Sequence, residues 1–537
     1  MKKSRAYFSL TLTVVVGMRH RIVLLGLILP LIVVAAEKQA PWFGLNLPPP
    51  VDLTAPLAES VRQSESAKFA DGETKFPAFA GNRILQDVTT IVGFSQQSRQ
   101  HKEIGSGQLW GRISGFPSSS KTINWAADQF RQAGIDRVDI QTFTQSPDSQ
   151  LWLPLSWQVT LHGNPAFGHG SRDVILESAM PLAPSSSTEP VNNAQLVYVG
   201  TGSTAETQHL NLLGKVVVQR VTPQAHMVFE RGTVAPQAQQ FFARGALAVL
   251  NIVDLPGNML ARDFSNCGGL CFNLGGRDGR FLRQVLEQAA AKDLLDKVAI
   301  SLQLEGKRFS GLNAHNAIAV VPGKKGVRTA EETLVINAHA DAWFDGAGDN
   351  GDGLAVMVAL ARHFAKRPLN RALVFVASAG HHTAGLNGPR NVVAQNADLM
   401  KKVQVIINIE HVAQRNIVPA RLLYPDGYRQ YTADSREAPI VAGISNSAPY
   451  LENLIAAGVQ RFGVNFVGAP SDMASGEGGG YRQLDRAIIT TMQAPPFYHT
   501  SGESIDMISA PGLERMAHFM ADLIEQLAVA DTKLINP

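Results

Sequence analysis

Cysteine is nearly absent from this chain of 537 residues: Cys267 and Cys271 are the only two, and zinc held by cysteines needs more ligands than one pair offers. Their Gly-Gly-Leu spacer leaves two readings open, a local disulfide in an oxidising compartment or two buried thiols. Charge is also scarce. Charged residues make up 17% against 45% hydrophobic, which describes a globular chain rather than a disordered one. The formal charge is +3, but residues 1–36 hold five basic residues and no acid, so without them the chain stands at −2. A nearly neutral body with no interleaving of basic and aromatic residues gives no reason to expect nucleic acid as a partner. No internal repeat is visible, and Gly443-Ile444-Ser445-Asn446-Ser447 lacks the last glycine of a G-x-S-x-G elbow, so a serine hydrolase finds little support.

The basic start reads as targeting. Arg19-His20-Arg21 precedes an apolar run at 22–36 that ends in Val34-Ala35-Ala36, and the run is short for a bilayer span. A cleaved signal peptide and an uncleaved N-terminal anchor both fit; either puts the bulk of the protein outside the cytoplasm, in the periplasm, at the cell surface or in the medium. Beyond such an anchor no stable membrane insertion is expected. Residues 37–80, with Pro48-Pro49-Pro50, read as an extended leader on the surface.

The length predicts more than one domain. Ile123, Ala126, Phe130 and Ala133 mark one face of a helix that Gly134 ends before a strand at 138–143. Residues 151–308 have a different texture, short β-rich runs separated by turns, and read as an inserted domain. After 309, apolar strands at 334–338, 372–377, 405–409 and 487–491 alternate with helical stretches such as 352–365, and a final helix carries Leu513, Met516, Met520, Leu523 and Leu527 in register. The fold class is therefore α/β, a mainly parallel mixed sheet covered on both faces by helices. In such sheets the working site lies beyond the carboxyl ends of the strands. Those ends carry His339, Asp341 and Asp349; His381-His382; Glu410-His411; and His499. One histidine or acid after a strand is usually a cap or a surface group, but four strand ends all supplying N/O ligands make a constellation. Period-two alternation puts His339 and Asp341 on one side, so Asp341 can hold the second ring nitrogen of a ligating His339. The glycines at 346, 348 and 351 let Asp349 turn into the site, where a carboxylate can bridge two ions. The same glycines match G-x-G-x-x-G, yet they do not follow the strand directly and no acid stands about 20 residues on, which argues against a dinucleotide site.

Residues 337–341 and 346–353, with Phe497-Tyr498-His499-Thr500 and Asp506 as a closing motif and Ser471-Asp472 as a further element, resemble the zinc aminopeptidase and glutamate-carboxypeptidase-like family. The 151–308 region, with Leu213-Gly214-Lys215-Val216-Val217, looks like a protease-associated domain. The resemblance covers about 81–530 and implies a catalytic domain built from 81–150 and 309–530. It implies two zinc ions, one on His339, Asp349 and Glu410, the other on Asp349, His382 and His499, with Asp341 orienting His339, and a peptide as substrate. Where that family carries a Glu-Glu pair this chain has His381-His382. A histidine at 382 can bind zinc, and His381 can take the proton. A register one residue later, on His382-Thr383, would cost the second metal a ligand. The expectation is an exported dinuclear-zinc exopeptidase, an aminopeptidase; the alternatives are an inactive member that binds peptide or metal, and a one-metal amidohydrolase.

Overall fold

The computed structural model describes residues 42–54, 57, 65–67, 75–184, 189–221, 234–262, 267–423, 429–446, 448–468, 476–493 and 497–537. The targeting segment 1–36 and Ser471-Asp472 lie outside the described residues.

Eight strands form the central sheet: β1 (Arg137–Thr144), β2 (Asn313–Val321), β3 (Thr333–His339), β4 (Ala372–Ser378), β5 (Val403–Ile409), β6 (Ile440–Ser445), β7 (Phe466–Gly468) and β8 (Ala487–Gln493). Their spatial order is β7-β6-β8-β5-β3-β4-β2-β1. The inner four, β8, β5, β3 and β4, run parallel. β1 and β2 continue the sheet antiparallel at one edge, and β6 pairs antiparallel with β8 at the other. Every residue of β3, β4 and β5 is buried, as continuous apolar strands between two helical layers require.

One face is covered by α1 (Gly81–Gln100), α2 (Pro117–Gln132), α3 (Asp352–Phe364), α4 (Pro449–Phe462) and α5 (Ala510–Val529), all contributing to one core with Leu334, Ile336, Phe375 and Ile407. The opposite face packs Val335, Val374, Val376 and Ile406 against Val392 and Tyr481. Mixed α/β architecture is thus what the alternation of apolar strands and helices implied. The register of α5 holds in full: Leu513, Met516, Met520, Leu523 and Leu527 are all buried. Arg371 ties its end to the start of β4, Nη1 donating to the carbonyls of Leu527 and Ala530 and Nε to Glu332.

Between β1 and β2 lies a second eight-stranded sheet. Leu151–Leu161 and Ala299–Phe309 pair antiparallel, while Val191–Tyr198, Val216–Val221, Ala248–Val253 and Cys271–Leu274 run parallel. It is less purely β than its short runs suggested, since helices Val234–Ala243 and Gly276–Ala291 belong to it. Cys267 and Cys271 are joined by a disulfide, which decides between the two cysteine readings. The leader does not simply lie on the surface. Trp42 is fully buried against Phe167 and Phe281, with its ring nitrogen donating to the carbonyl of Arg172, because an indole brings more apolar area than any neighbour in the segment. Among the described residues no helix is long and apolar enough to cross a membrane.

Candidate metal centre

The ends of β3, β4, β5 and β8 point the same way, and the segments that follow converge on one carboxylate. His339 is the last residue of β3, and the chain then turns through Gly346, whose φ of 53° only glycine adopts readily, into an irregular helical turn, Ala347–Gly351. That turn carries Asp349 into the site just before α3. Its Oδ1 lies 3.2 Å from Nε2 of His339 and 3.1 Å from Nε2 of His411. Its Oδ2 lies 3.1 Å from Nε2 of His382 and 3.0 Å from Nε2 of His499. Two imidazoles face each oxygen. All five side chains are buried.

The segments that hold these groups are fixed from behind. The carbonyl of Asp341 faces Nδ1 of His339 at 3.0 Å, while the carboxylate stands at 3.7 Å and instead accepts from the His382 backbone N–H. Asp341 therefore orients His339 through its backbone and His382 through its side chain. After β5 the chain enters a left-handed conformation at His411 (φ 47°), held by the Asn350 side chain, which accepts from His411 N and donates to the Ile409 carbonyl. Such strain persists only where the surroundings over-determine it, and it clusters at functional sites. Asp352 accepts from the N–H groups of Val412 and Ala413, and burial pushes its carboxyl up to about 7. Behind His499 stands Glu503, buried, accepting from the His499 N–H at 3.3 Å; burial raises its pKa well above the usual range. Asp506, the acid of the expected closing motif, is exposed on the turn Ile505–Met507 and reaches none of this. The supporting acid comes three residues earlier because the chain after His499 folds back at once.

Glu410 and His381 belong to an adjoining cluster. Oε1 of Glu410 accepts from the Asn408 side chain at 2.7 Å and from the Glu477 N–H at 3.0 Å. The Asn408 oxygen in turn accepts from Asn337, which accepts from the Tyr481 hydroxyl, so a buried polar chain runs across the strand ends to Glu410. His381 stacks on the His339 ring at 4.3 Å, and its Nδ1 lies 2.6 Å from Oε1 of Glu477. Burial pushes Glu410 up to about 6, helped by the Glu477 charge. Potential ligand atoms of three sets come within 4.8 Å of one another: His339, Asp349 and His382; His339, Glu410 and His411; His339, His381 and Glu477.

All seven residues singled out from the sequence, Asp341, His381, His339, Asp349, His382, Glu410 and His499, sit at this one place. At the end of β4 it is His382 that faces Asp349; the Thr383 hydroxyl donates away from the site, to the Ser114 carbonyl. Two residues were not anticipated as members. His411 was legible as a ligand type beside Glu410. Glu477 had no signal, since it lies in a glycine-rich turn outside the four strand ends.

The donor set fits a metal. Nε2 of His339 and Oδ2 of Asp349 are buried yet make no hydrogen bond of acceptable geometry among the described residues. A carboxylate whose two oxygens each face a pair of imidazoles suits two ions sharing it, and mixed N/O donors suit zinc. Burial also pushes His382 down, and His499 to about 3, toward the neutral form that ligates.

Residues 316–524, which include every one of these groups, match the sequence model of Peptidase family M28. This segment of the chain is similar to that peptidase family. A vacuolar membrane protease of Vanderwaltozyma polyspora is 27% identical over 202 residues, 37% of this chain and 20% of that protein, so the match spans about a fifth of that relative. Three solved structures share the fold. An aminopeptidase from Aneurinibacillus sp. strain AM-1 superposes with TM-score 0.51 at 18% identity, covering 86% of this chain and 98% of that one. BSAP, a zinc aminopeptidase from Bacillus subtilis, gives 0.55 at 17%, with 85% and 98% covered. A peptidase M28 precursor from Shewanella amazonensis gives 0.55 at 17%, with 84% and 97%.

Beside the metal centre opens a cavity of about 530 Å³. His381, His382 and Glu477 line one side; Trp152, Arg262 and Arg308, contributed by the second sheet and its loops, line another. The loop that carries Arg262 is stitched to the loop that carries His499: Ala261 bridges Thr500, and Arg262 N donates to the His499 carbonyl at 3.0 Å.

Proposed function

We propose that this chain is an exported dinuclear-zinc exopeptidase, an aminopeptidase that hydrolyses N-terminal bonds of peptide substrates. The observation that carries the reading is the Asp349 carboxylate with two imidazole nitrogens at each oxygen, at 3.0 to 3.2 Å. When bound, the metal supplies Lewis acidity, making water a better nucleophile at neutral pH and polarising the carbonyl under attack. The chain's own residues do the rest. Asp349 would be shared by two ions, with His339 and Glu410 able to hold one and His382 and His499 the other, and Asp341 keeps His339 and His382 aimed. His381 stands beside them with Nδ1 committed to Glu477, so Nε2 is the nitrogen that would take a proton from water and return it to the leaving amine, once bound cations have displaced the proton it holds in the metal-free chain. Export rests on the basic and apolar N-terminal segment alone. The protease-associated reading of the 151–308 sheet rests on its sequence pattern.

One observation favours a second reading, a member that binds peptide or metal without turnover. At the end of β4 no carboxylate enters the site; His381-His382 stand there. Elemental analysis of the purified protein separates these readings together with an aminoacyl-peptide assay run with and without chelator. Two zinc per chain and chelator-sensitive hydrolysis are expected. Absence of zinc would sink both metal readings, and a silent wild type revived by His381→Glu would establish the second.

A further inference from the structure

Of the four imidazoles that face Asp349, the ligand set above uses three and leaves His411 without a task. Its position is that of a ligand. Two donors bound to one tetrahedral zinc at 2.0–2.1 Å stand about 3.3 Å apart, the edge of the tetrahedron. Nε2 of His411 and Nε2 of His339 lie 3.1 and 3.2 Å from the same Oδ1 of Asp349. His382 and His499 repeat those spacings on Oδ2, at 3.1 and 3.0 Å. The carboxylate is thus flanked alike on both oxygens. The backbone brings the His411 ring there: φ is 47°, and Asn350 holds the turn by accepting from His411 N. The Tyr498 ring packs beside it at 5.2 Å. Nδ1 of His411 makes no hydrogen bond among the described residues, so backbone and packing rather than a bonded acceptor aim the ring.

Glu410 comes near enough to compete, its ligand atom within 4.8 Å of those of His339 and His411, but it is turned to other partners. Its Oε1 accepts from the Asn408 side chain at 2.7 Å and from the Glu477 N–H at 3.0 Å, which occupies both lone pairs. The whole carboxylate lies against Gly476, where an added Cβ would fall 2.0 Å from Oε1 and 2.3 Å from Oε2. We infer that His411, and not Glu410, completes the ligands on the Oδ1 side of Asp349. His339, His411 and Asp349 then hold one ion, while Glu410 braces the turn that carries Glu477. This rests on the two-ion reading of the same site and departs from the ligand set that the resemblance implies. The centre becomes one carboxylate and four imidazoles, a nitrogen-rich set that suits zinc better than manganese.

Metal binding tests this apart from turnover. Full-length wild type, His411→Asn and Glu410→Gln are dialysed against zinc buffered by a competing chelator, and bound zinc is read by elemental analysis. Asparagine tolerates the left-handed backbone at 411, and glutamine at 410 keeps an oxygen for both donors. His411→Asn is expected to lose one of the two ions, its affinity falling more than about 100-fold, beyond what the loss of a supporting hydrogen bond costs. Glu410→Gln should keep both ions within about 10-fold of wild-type affinity. Anomalous diffraction from zinc-loaded wild-type crystals gives an answer that no variant's folding affects. It should place Nε2 of His411 about 2.0–2.1 Å from an ion and the Glu410 carboxylate outside the shell. Retention of both ions at wild-type affinity in His411→Asn overturns the assignment, as does loss of one in Glu410→Gln or an ion that touches Glu410 and not His411. A wild type that binds two zinc through His411 but hydrolyses no peptide refutes the peptidase reading alone; one that binds none overturns both.

Discussion

Replacing Glu477 by Gln in the metal-free chain removes the carboxylate that holds the His381 proton at 2.6 Å. Burial alone would push His381 down, but the Glu477 charge outweighs it and the imidazole rises from 6.5 to about 9. Glu477 moves the opposite way, from 4.5 to about 2, because the charges of His381 and His339 overcome its burial. Either displacement corresponds to roughly 3 kcal/mol, counted once for the pair. The two side chains are 20% and 4% exposed, so solvent screens little of it. A raised histidine stabilises fully below 6.5, and its contribution fades as pH climbs through 9. A depressed carboxyl stabilises fully above 4.5, and its contribution fades as pH falls through 2. The pair thus contributes most between 4.5 and 6.5. Glu477→Gln is expected to cost roughly 2–4 kcal/mol near pH 6 and much less near pH 9.5, where the wild type has lost most of the contribution itself. Urea titrations of chelator-treated protein at the two pH values read the difference, and NMR of labelled histidine follows the His381 titration directly. An equal loss at both pH values, or a His381 that titrates unchanged in the variant, would refute the reasoning.

Other perturbations follow from the same geometry. A methyl at Gly476, where φ is 55°, would lie 2.0 Å from Oε1 of Glu410, so Gly476→Ala should displace that carboxylate and weaken metal affinity by about 10- to 100-fold while circular dichroism stays native. Arg371→Ala strands the carbonyls of Leu527 and Ala530 and takes the cation from Glu332, which keeps its bond from the Thr532 hydroxyl, and should destabilise by roughly 2–4 kcal/mol in denaturant titration with metal content retained. Replacing Cys267 and Cys271 together by Ser opens a loop so short that the cost should stay near 2 kcal/mol, seen as a lower unfolding midpoint with unchanged metal content.

What the sequence by itself determined is the scaffold and the centre of the site. Fully apolar strands alternating with amphipathic helices leave a parallel sheet little choice of layout, and the strand-end rule then names His339, His381-His382, Glu410-His411 and His499 before any coordinates. Asp349 follows from the glycines around it. Tertiary structure decided the rest, because it depends on where turns go rather than on periodicity. The left-handed step at His411 swings its ring onto Asp349, a direction that no alternation pattern encodes. Immediate folding-back after His499 brings Glu503 rather than Asp506 behind the ring. Glu477 arrives from a segment with no strand or helix signal and pairs with His381 only because both loops close over the same end of the sheet. Arg262 and Trp343 lie 81 positions apart in the chain, and their stack exists because a loop of the second sheet is hydrogen-bonded to the segment that carries His499.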